Sequence, residues 1–233
     1  METILLIFFT LLVFPGLLFV ISLSFLTQYL VRKITARFQR RMGPSYAGPA
    51  GTLQPFMDFL KLLRTKEVVK SPYSMVTVAE ISLLLGVSFI ISSVLLLPLG
   101  FLRLSSSFDI LVFFYMTSVM PLFMLIIASL SMPNPYTNIG VSRLLTLSTI
   151  VEPTYFASVL IPIYVATRGK EPFLSITTAY ANIPSLWFNT SGIVLALCLI
   201  AFIVTVQAKA MYPPFNIPEA EQEIIAGFET EFS

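Results

Sequence analysis

Apolar residues run in long blocks along this 233-residue chain, and the blocks are separated by polar intervals rich in Pro, Ser, Asn and Gly. A helix that crosses a bilayer needs roughly 20 mostly apolar residues. Five blocks meet that length, at about residues 4–31, 75–97, 108–131, 141–167 and 191–207. The first contains no charged residue; it is too long, and too acidic at its start (Glu2), for a cleaved signal peptide, so it is read as a retained helix. Pro15 and Gly16 near its middle predict a kink, because proline removes a backbone donor. The pattern predicts an all-α integral membrane protein, residues 1–233 forming a single membrane domain of about five transmembrane helices.

Composition narrows the function. Hydrophobic residues make up 56% and charged residues only 11%, against about 25% charged in an ordinary soluble domain. So few charges cannot coat a water-facing surface, which excludes a soluble enzyme, a disordered chain and a secreted disulfide scaffold. Histidine is absent and Cys198 is the only cysteine. One thiol and no imidazole cannot ligate haem, an iron–sulfur cluster or a structural zinc, so no cofactor or metal is expected on this chain. A Cys/His nucleophile pair and an internal disulfide are equally impossible. The glycines between Gly43 and Gly51 do not form a phosphate-binding loop, since no Lys-Ser/Thr follows and no strand precedes. No nucleic-acid partner is expected.

The few charges are sorted. Arg32, Lys33, Arg37, Arg40, Arg41, Lys61, Arg64, Lys66 and Lys70 follow the first block, and Arg143 and Lys209 fall on the same side of the membrane. Arg103, Arg168 and Lys170 fall on the other, so basic residues divide 11 to 3. An excess of Lys and Arg marks the cytoplasmic side, which places the N-terminus outside. Residues 32–72 then form a basic first cytoplasmic loop and residues 209–233 an acidic C-terminal cytoplasmic segment. Five of the twelve acidic residues (Glu219, Glu221, Glu223, Glu229, Glu231) lie within thirteen positions of that segment. Opposite-signed segments on one face can pair with each other or with charged surfaces of a partner. The plainer alternative is two solvated loops.

Glu152 is the sharpest candidate for chemistry, because a carboxylate inside a spanning helix costs about 3 kcal/mol to insert. From a start near Val141 it lies about 16 Å along the fourth helix, close to mid-depth. Pro153 follows and loosens the turn before it. Burial there makes the carboxyl a candidate proton acceptor and donor; the structural alternative is a pair with Arg143 or a Tyr hydroxyl. Arg143 stands nine residues earlier, about 13 Å along an ideal helix, too far for a direct pair within it. Glu80 lies about one turn into the second span, where a carboxylate can snorkel to the interface. Asp109 begins the third span, and Asp58 is followed three positions later by Lys61, a common helix-surface pair. Pro213, Pro214 and Pro218 break the fifth helix and lead the acidic segment along the membrane surface. There Glu219 and Glu223, four apart, are expected to share a helix face. Ser, Thr and Tyr within the spans are read as helix glue.

Two sets of motifs resemble a known family. Gln39-Arg40-Arg41-Met42-Gly43-Pro44, then Gly48-Pro49, Leu53-Gln54-Pro55-Phe56-Met57-Asp58-Phe59-Leu60-Lys61 and Lys66-Glu67, resemble the first cytoplasmic loop of the H subunit of respiratory complex I. Pro214-Phe215-Asn216-Ile217-Pro218-Glu219-Ala220-Glu221-Gln222-Glu223, through Gly227 to Glu231-Phe232-Ser233, resembles its acidic loop. Within the wider family, the run from Asn134 to Arg143 and Val151-Glu152-Pro153 looks more like the membrane anchor subunit of energy-converting membrane-bound nickel–iron hydrogenases and their sulfur-reducing or formate-linked relatives.

The resemblance implies a non-catalytic membrane anchor of a multisubunit respiratory oxidoreductase in a prokaryotic plasma membrane. Such a subunit docks the peripheral redox arm and couples electron transfer to proton or sodium translocation. Arg40, Arg41, Asp58, Lys61 and Glu67 would then face the arm, while Glu152, Glu219, Glu221, Glu223 and Glu80 would belong to the proton or ion path. Hydrophilic iron–sulfur and hydrogenase-like subunits would carry the iron–sulfur clusters and the nickel–iron centre, beside antiporter-like and small membrane subunits. An alternative is the quinone-chamber subunit of a complex I, with quinone as substrate; a distant one is half of a solute transporter. Two departures stand out. Asn216 replaces the family's usual Asp, and the sequence ends at Ser233, where members continue into further C-terminal helices that are expected to be lacking here.

Overall fold

The computed structural model describes residues 2–64, 71–97, 99, 106–167, 174–188 and 191–232. All regular structure among them is helical, and five helices are long and apolar enough to cross a membrane: Leu5–Phe38, Val76–Leu96, Asp109–Leu130, Pro135–Thr167 and Ser191–Lys209. The fold is therefore the all-α, five-helix membrane architecture that the apolar blocks predict. Contacts divide the chain into two compact units, Met1–Lys70 and Ser71–Ser233.

In the first unit the expected kink divides the first span into two α-helical stretches, still bridged by the Phe19 N–H donating to the Val13 carbonyl (3.3 Å). Helix α1 (Glu2–Leu12) stops before Pro15, and α2 (Leu17–Phe38) starts after Gly16. A Cβ on Gly16 would sit 1.8 Å from the Leu11 carbonyl oxygen, so only glycine lets the chain turn there. Helix α2 runs beyond the predicted end at residue 31 and carries Arg32, Lys33 and Arg37 in its last turns, where cations suit the negative helix end. Lys33 Nζ donates to the carbonyls of Pro44 (2.8 Å) and Ala50 (3.0 Å), folding the glycine-rich loop back on the helix. Helix α3 (Gln54–Arg64) follows, with Phe56 and Phe59 packed against Phe25 of α2.

The second unit is a bundle. Helix α4 (Val76–Ser93) packs on the third span, which comprises α5 (Asp109–Phe114), a π-helical turn (Tyr115–Val119) and α6 (Met120–Leu130). The π turn sits just before Pro121, which lacks the amide that a regular α turn would use; a π-bulge is a common relief and a frequent companion of functional sites. Helix α7 (Pro135–Thr167) starts six residues before the predicted Val141. Asn134 Oδ1 accepts the Tyr136 N–H (3.0 Å), and proline fits the first helical position, so Asn134-Pro135 is a capped start.

At 33 residues α7 is about 50 Å long, against about 28 Å for the 19-residue α9 (Ser191–Lys209). A short helix, α8 (Ile176–Leu186), lies between them in sequence, within an interval predicted to be loop. Helix α9 returns along the second half of α7, with Tyr155 stacked on Phe202. The first half of α7 extends past the end of α9, and the chain after Lys209 covers it. This last segment comprises a proline-rich turn, α10 (Glu221–Ile224) and a 3-10 turn (Gly227–Glu229). Phe228, 1% exposed, is buried among Ile126, Val141 and Leu144. A Cβ on Gly140 would lie 2.4 Å from the Phe228 amide nitrogen, so the bare glycine permits the approach.

Candidate functional site

Glu152 occupies the middle of α7, and it is not alone. Lys209, the last residue of α9, places its Nζ 2.7 Å from Glu152 Oε1. Ser118 Oγ, on the π turn, donates to Glu152 Oε2 at 2.5 Å and accepts from Lys209 Nζ. Each of the three side chains thus touches the other two, and both carboxylate oxygens are engaged. The Tyr155 ring, one turn beyond Glu152, lies 4.6 Å from the ammonium. Side-chain exposure of Lys209 and Glu152 is 25% and 19%. The cluster forms the polar end of a pocket of about 200 Å³ whose other walls include Leu122, Leu125, Leu147 and Val151. A carboxylate and an ammonium in such surroundings attract strongly and are costly to separate.

Local sequence explains the arrangement. Pro153 removes one backbone donor inside α7, so the turn carrying Glu152 lacks one of its helical hydrogen bonds. The π turn re-aims Ser118 toward α7, and the proline-rich stretch after Lys209 ends α9 where its last side chain meets Glu152. Arg143, as its spacing requires, does not reach Glu152. It pairs instead with Glu223 at 2.7 Å and donates to the Ile217 carbonyl at 3.5 Å, tying the acidic segment to the projecting half of α7. Asn134 Nδ2 donates to Glu231 Oε1 at 2.5 Å nearby. Asn216, where an acid was expected from the resemblance, buries its Oδ1 without a hydrogen-bond partner among the described residues.

The structure therefore separates the predicted path residues. Glu152 is in the bundle cluster, Glu223 is on the tail, and Glu80 is exposed on α4 and does not line the pocket. The shared helix face expected for Glu219 and Glu223 does not form, because α10 spans only four residues and ends at Ile225, which adopts φ +62°. Glu219 precedes it in a turn. The Glu221 side chain and all of Glu67 lie outside the described residues.

Within the first unit, Arg40 (φ +55°), Arg41 and Lys61 are exposed. Asp58 binds Arg32 Nη1 at 2.6 Å and accepts from Gln54 Nε2 at 3.1 Å. The hydrogen bond from Arg32 is the main reason its carboxyl is held below the usual aspartate value; the Lys61 charge adds to this.

Sequence reasoning did not single out Lys209 or Ser118 as site residues. In the sequence Lys209 reads as a topological charge and Ser118 as generic helix glue. Pro121, three residues after Ser118 in an otherwise unbroken span, was the available signal for the latter.

The model of the NADH dehydrogenase family matches residues 9–233, nearly the whole chain. The chain belongs to this family, that of the H-type membrane subunit of respiratory complex I. It is accordingly a multi-pass membrane subunit of a respiratory oxidoreductase, working in a lipid bilayer with other subunits of a multisubunit complex.

Proposed function

We propose that the chain is the anchor and ion-coupling subunit of a membrane-bound hydrogenase-type complex, in which Glu152 carries the proton or ion step. The observation that supports this most is the Glu152–Lys209–Ser118 cluster, an ionisable pair within the spanning bundle. Ionisable groups at such positions mark ion pathways by default. The carboxylate can take up and release a proton; Ser118 orients it, and Lys209 supplies the positive charge with which the arriving proton competes for the carboxylate. The first loop and the acidic segment face the cytoplasm in this reading, with the N-terminus outside. Arg40, Arg41 and Lys61 meet the peripheral arm, whose subunits supply the iron–sulfur clusters and nickel–iron centre that a chain with no histidine and one cysteine has no ligands to hold.

The test is Glu152→Gln in the assembled complex. Electron transfer in the peripheral arm should persist while ion pumping into sealed vesicles falls at least tenfold, and unchanged pumping removes Glu152 from the path. The quinone-chamber reading draws its support from the family match and from the mostly apolar walls of the pocket beside Glu152. Mass spectrometry of co-purified subunits separates the two: hydrogenase-like large and small subunits support the first, an NADH-oxidising set the second. A quinone-site inhibitor should leave turnover of a hydrogenase-type complex unaffected.

A further inference from the structure

We infer that Tyr155 is a positioning residue that serves as the second partner of Lys209, keeping the ammonium charged while Glu152 holds a proton. The inference rests on the proposed role of Glu152. A carboxyl group that carries protons alternates between carboxylate and neutral acid. In the acid state Lys209 loses its counter-charge inside the bundle, where an unpaired ammonium is costly. Either the lysine gives up its proton or another group stabilises the cation.

The geometry supplies that group. Tyr155 follows Glu152 by three positions on α7 and so shares its face. Carboxylate and ring both face the ammonium, at 2.7 Å and at 4.6 Å to the ring centroid. An aromatic face attracts a cation through its quadrupole, more strongly where water is scarce. The ring is also held in place: it lies nearly parallel to the rings of Phe114 on α5 (centroids 5.8 Å apart, 28°) and Phe202 on α9 (5.7 Å, 26°). Ser118, from the third span, offers only a neutral oxygen. Among the described contacts, Glu152 and Tyr155 are thus the titratable groups facing Lys209, and a phenol stays protonated near neutral pH. The cycle then balances at one atom. An O–H bond forms at the Glu152 carboxyl when the proton arrives and breaks when it leaves, while Lys209 keeps its three N–H bonds throughout.

The experiment reads the charge of Lys209 directly in the intact complex. Glu152→Gln fixes the neutral state of the carboxyl, and an N-hydroxysuccinimide ester, which reacts only with the free amine, is applied across a pH series. Mass spectrometry follows labelling of the Lys209 peptide. With Tyr155 or Tyr155→Phe the labelling curve should be the same. With Tyr155→Leu its midpoint should move about one unit to lower pH, a tenfold gain in free amine, with the high-pH plateau unchanged.

An unmoved midpoint overturns the inference, as does a Phe variant that behaves like Leu. A raised plateau without a shifted midpoint also overturns it, because the ring would then only restrict access. None of these outcomes depends on pumping, so failure of the Glu152 role appears separately, in the pumping assay of Glu152→Gln.

Discussion

The Arg32–Asp58 and Lys209–Glu152 pairs close at almost the same distance, 2.6 and 2.7 Å, yet they do different work. Arg32 and Asp58 are 44% and 38% exposed and pin α3 to α2; Lys209 and Glu152 are 25% and 19% exposed and sit within the bundle. Water screens the first pair and offers each partner an alternative, so an exposed pair contributes about 0–1 kcal/mol. The second pair has fewer alternatives, and removing one partner of a buried pair costs about 3–5 kcal/mol. Distance alone does not rank ion pairs; the alternatives open to each charge when the pair separates do.

The sharpest way to break this comparison is to remove one charge and then both. Lys209→Met should destabilise the subunit by about 3 kcal/mol, the low end of the cost for a buried pair, because Glu152 is left without its counter-charge but is partly exposed and can take up a proton. Adding Glu152→Gln should restore most of that loss, since a neutral pair carries no stranded charge, without restoring ion pumping. Thermal unfolding of the purified complex reads the first effect and vesicle pumping the second. Should the double variant be no more stable than the single, the pair is held by packing and not by charge.

How much of this was legible in the sequence follows from the same physics. Spans are visible because crossing a bilayer demands an uninterrupted apolar length, and Glu152 is visible because a charge inside such a length is rare. Its partner was hidden because Lys209 stands 57 residues away, and only the antiparallel return of α9 along α7 brings the two together. Ser118 was hidden by its ordinariness: many Ser and Thr hydroxyls in the spans bond their own preceding turn, as Ser82 and Thr205 do. The early start of α7 was obscured by polar residues that read as loop, although Asn134-Pro135 is a capping signal. The tail's docking depends on Gly140 meeting Gly227 and Phe228, a contact between distant glycines that no local pattern announces.

That docking supplies the next effect in size. Gly140→Val forces side-chain atoms into the space held by the Phe228 backbone, and overpacking of this kind costs about 1–3 kcal/mol. The tail should loosen from α7 while the Lys209–Glu152 pair remains, so limited proteolysis should cut within residues 219–232 several times faster. Arg143→Ala tests the same tail through charge. Its pair with Glu223 is 30% and 63% exposed, which puts the loss at about 1 kcal/mol or less and the gain in proteolysis below that of Gly140→Val.

The smallest effect belongs to Asp58, and pH reveals it. Its carboxyl titrates below the ordinary aspartate value of 3.8 because Arg32 binds the ionised form. A group whose folded value is depressed adds stability above the unfolded value, and that stability is lost as pH falls through the folded one. The α2–α3 clasp should therefore hold unchanged from neutral pH to about pH 5 and weaken only in acid below about 3.8. Asp58→Asn should mimic the acid state at every pH, at a cost of no more than about 1 kcal/mol after screening. Spin labels at Ile34→Cys on α2 and Leu62→Cys on α3, both exposed positions, report the separation of the helices. A broadened distance distribution is expected for Asp58→Asn at pH 7 and for the parent only in acid. If the variant matches the parent at pH 7, the Phe25–Phe56 and Phe25–Phe59 contacts hold α3 in place without the ion pair. The exposed pair would then follow the packing instead of directing it.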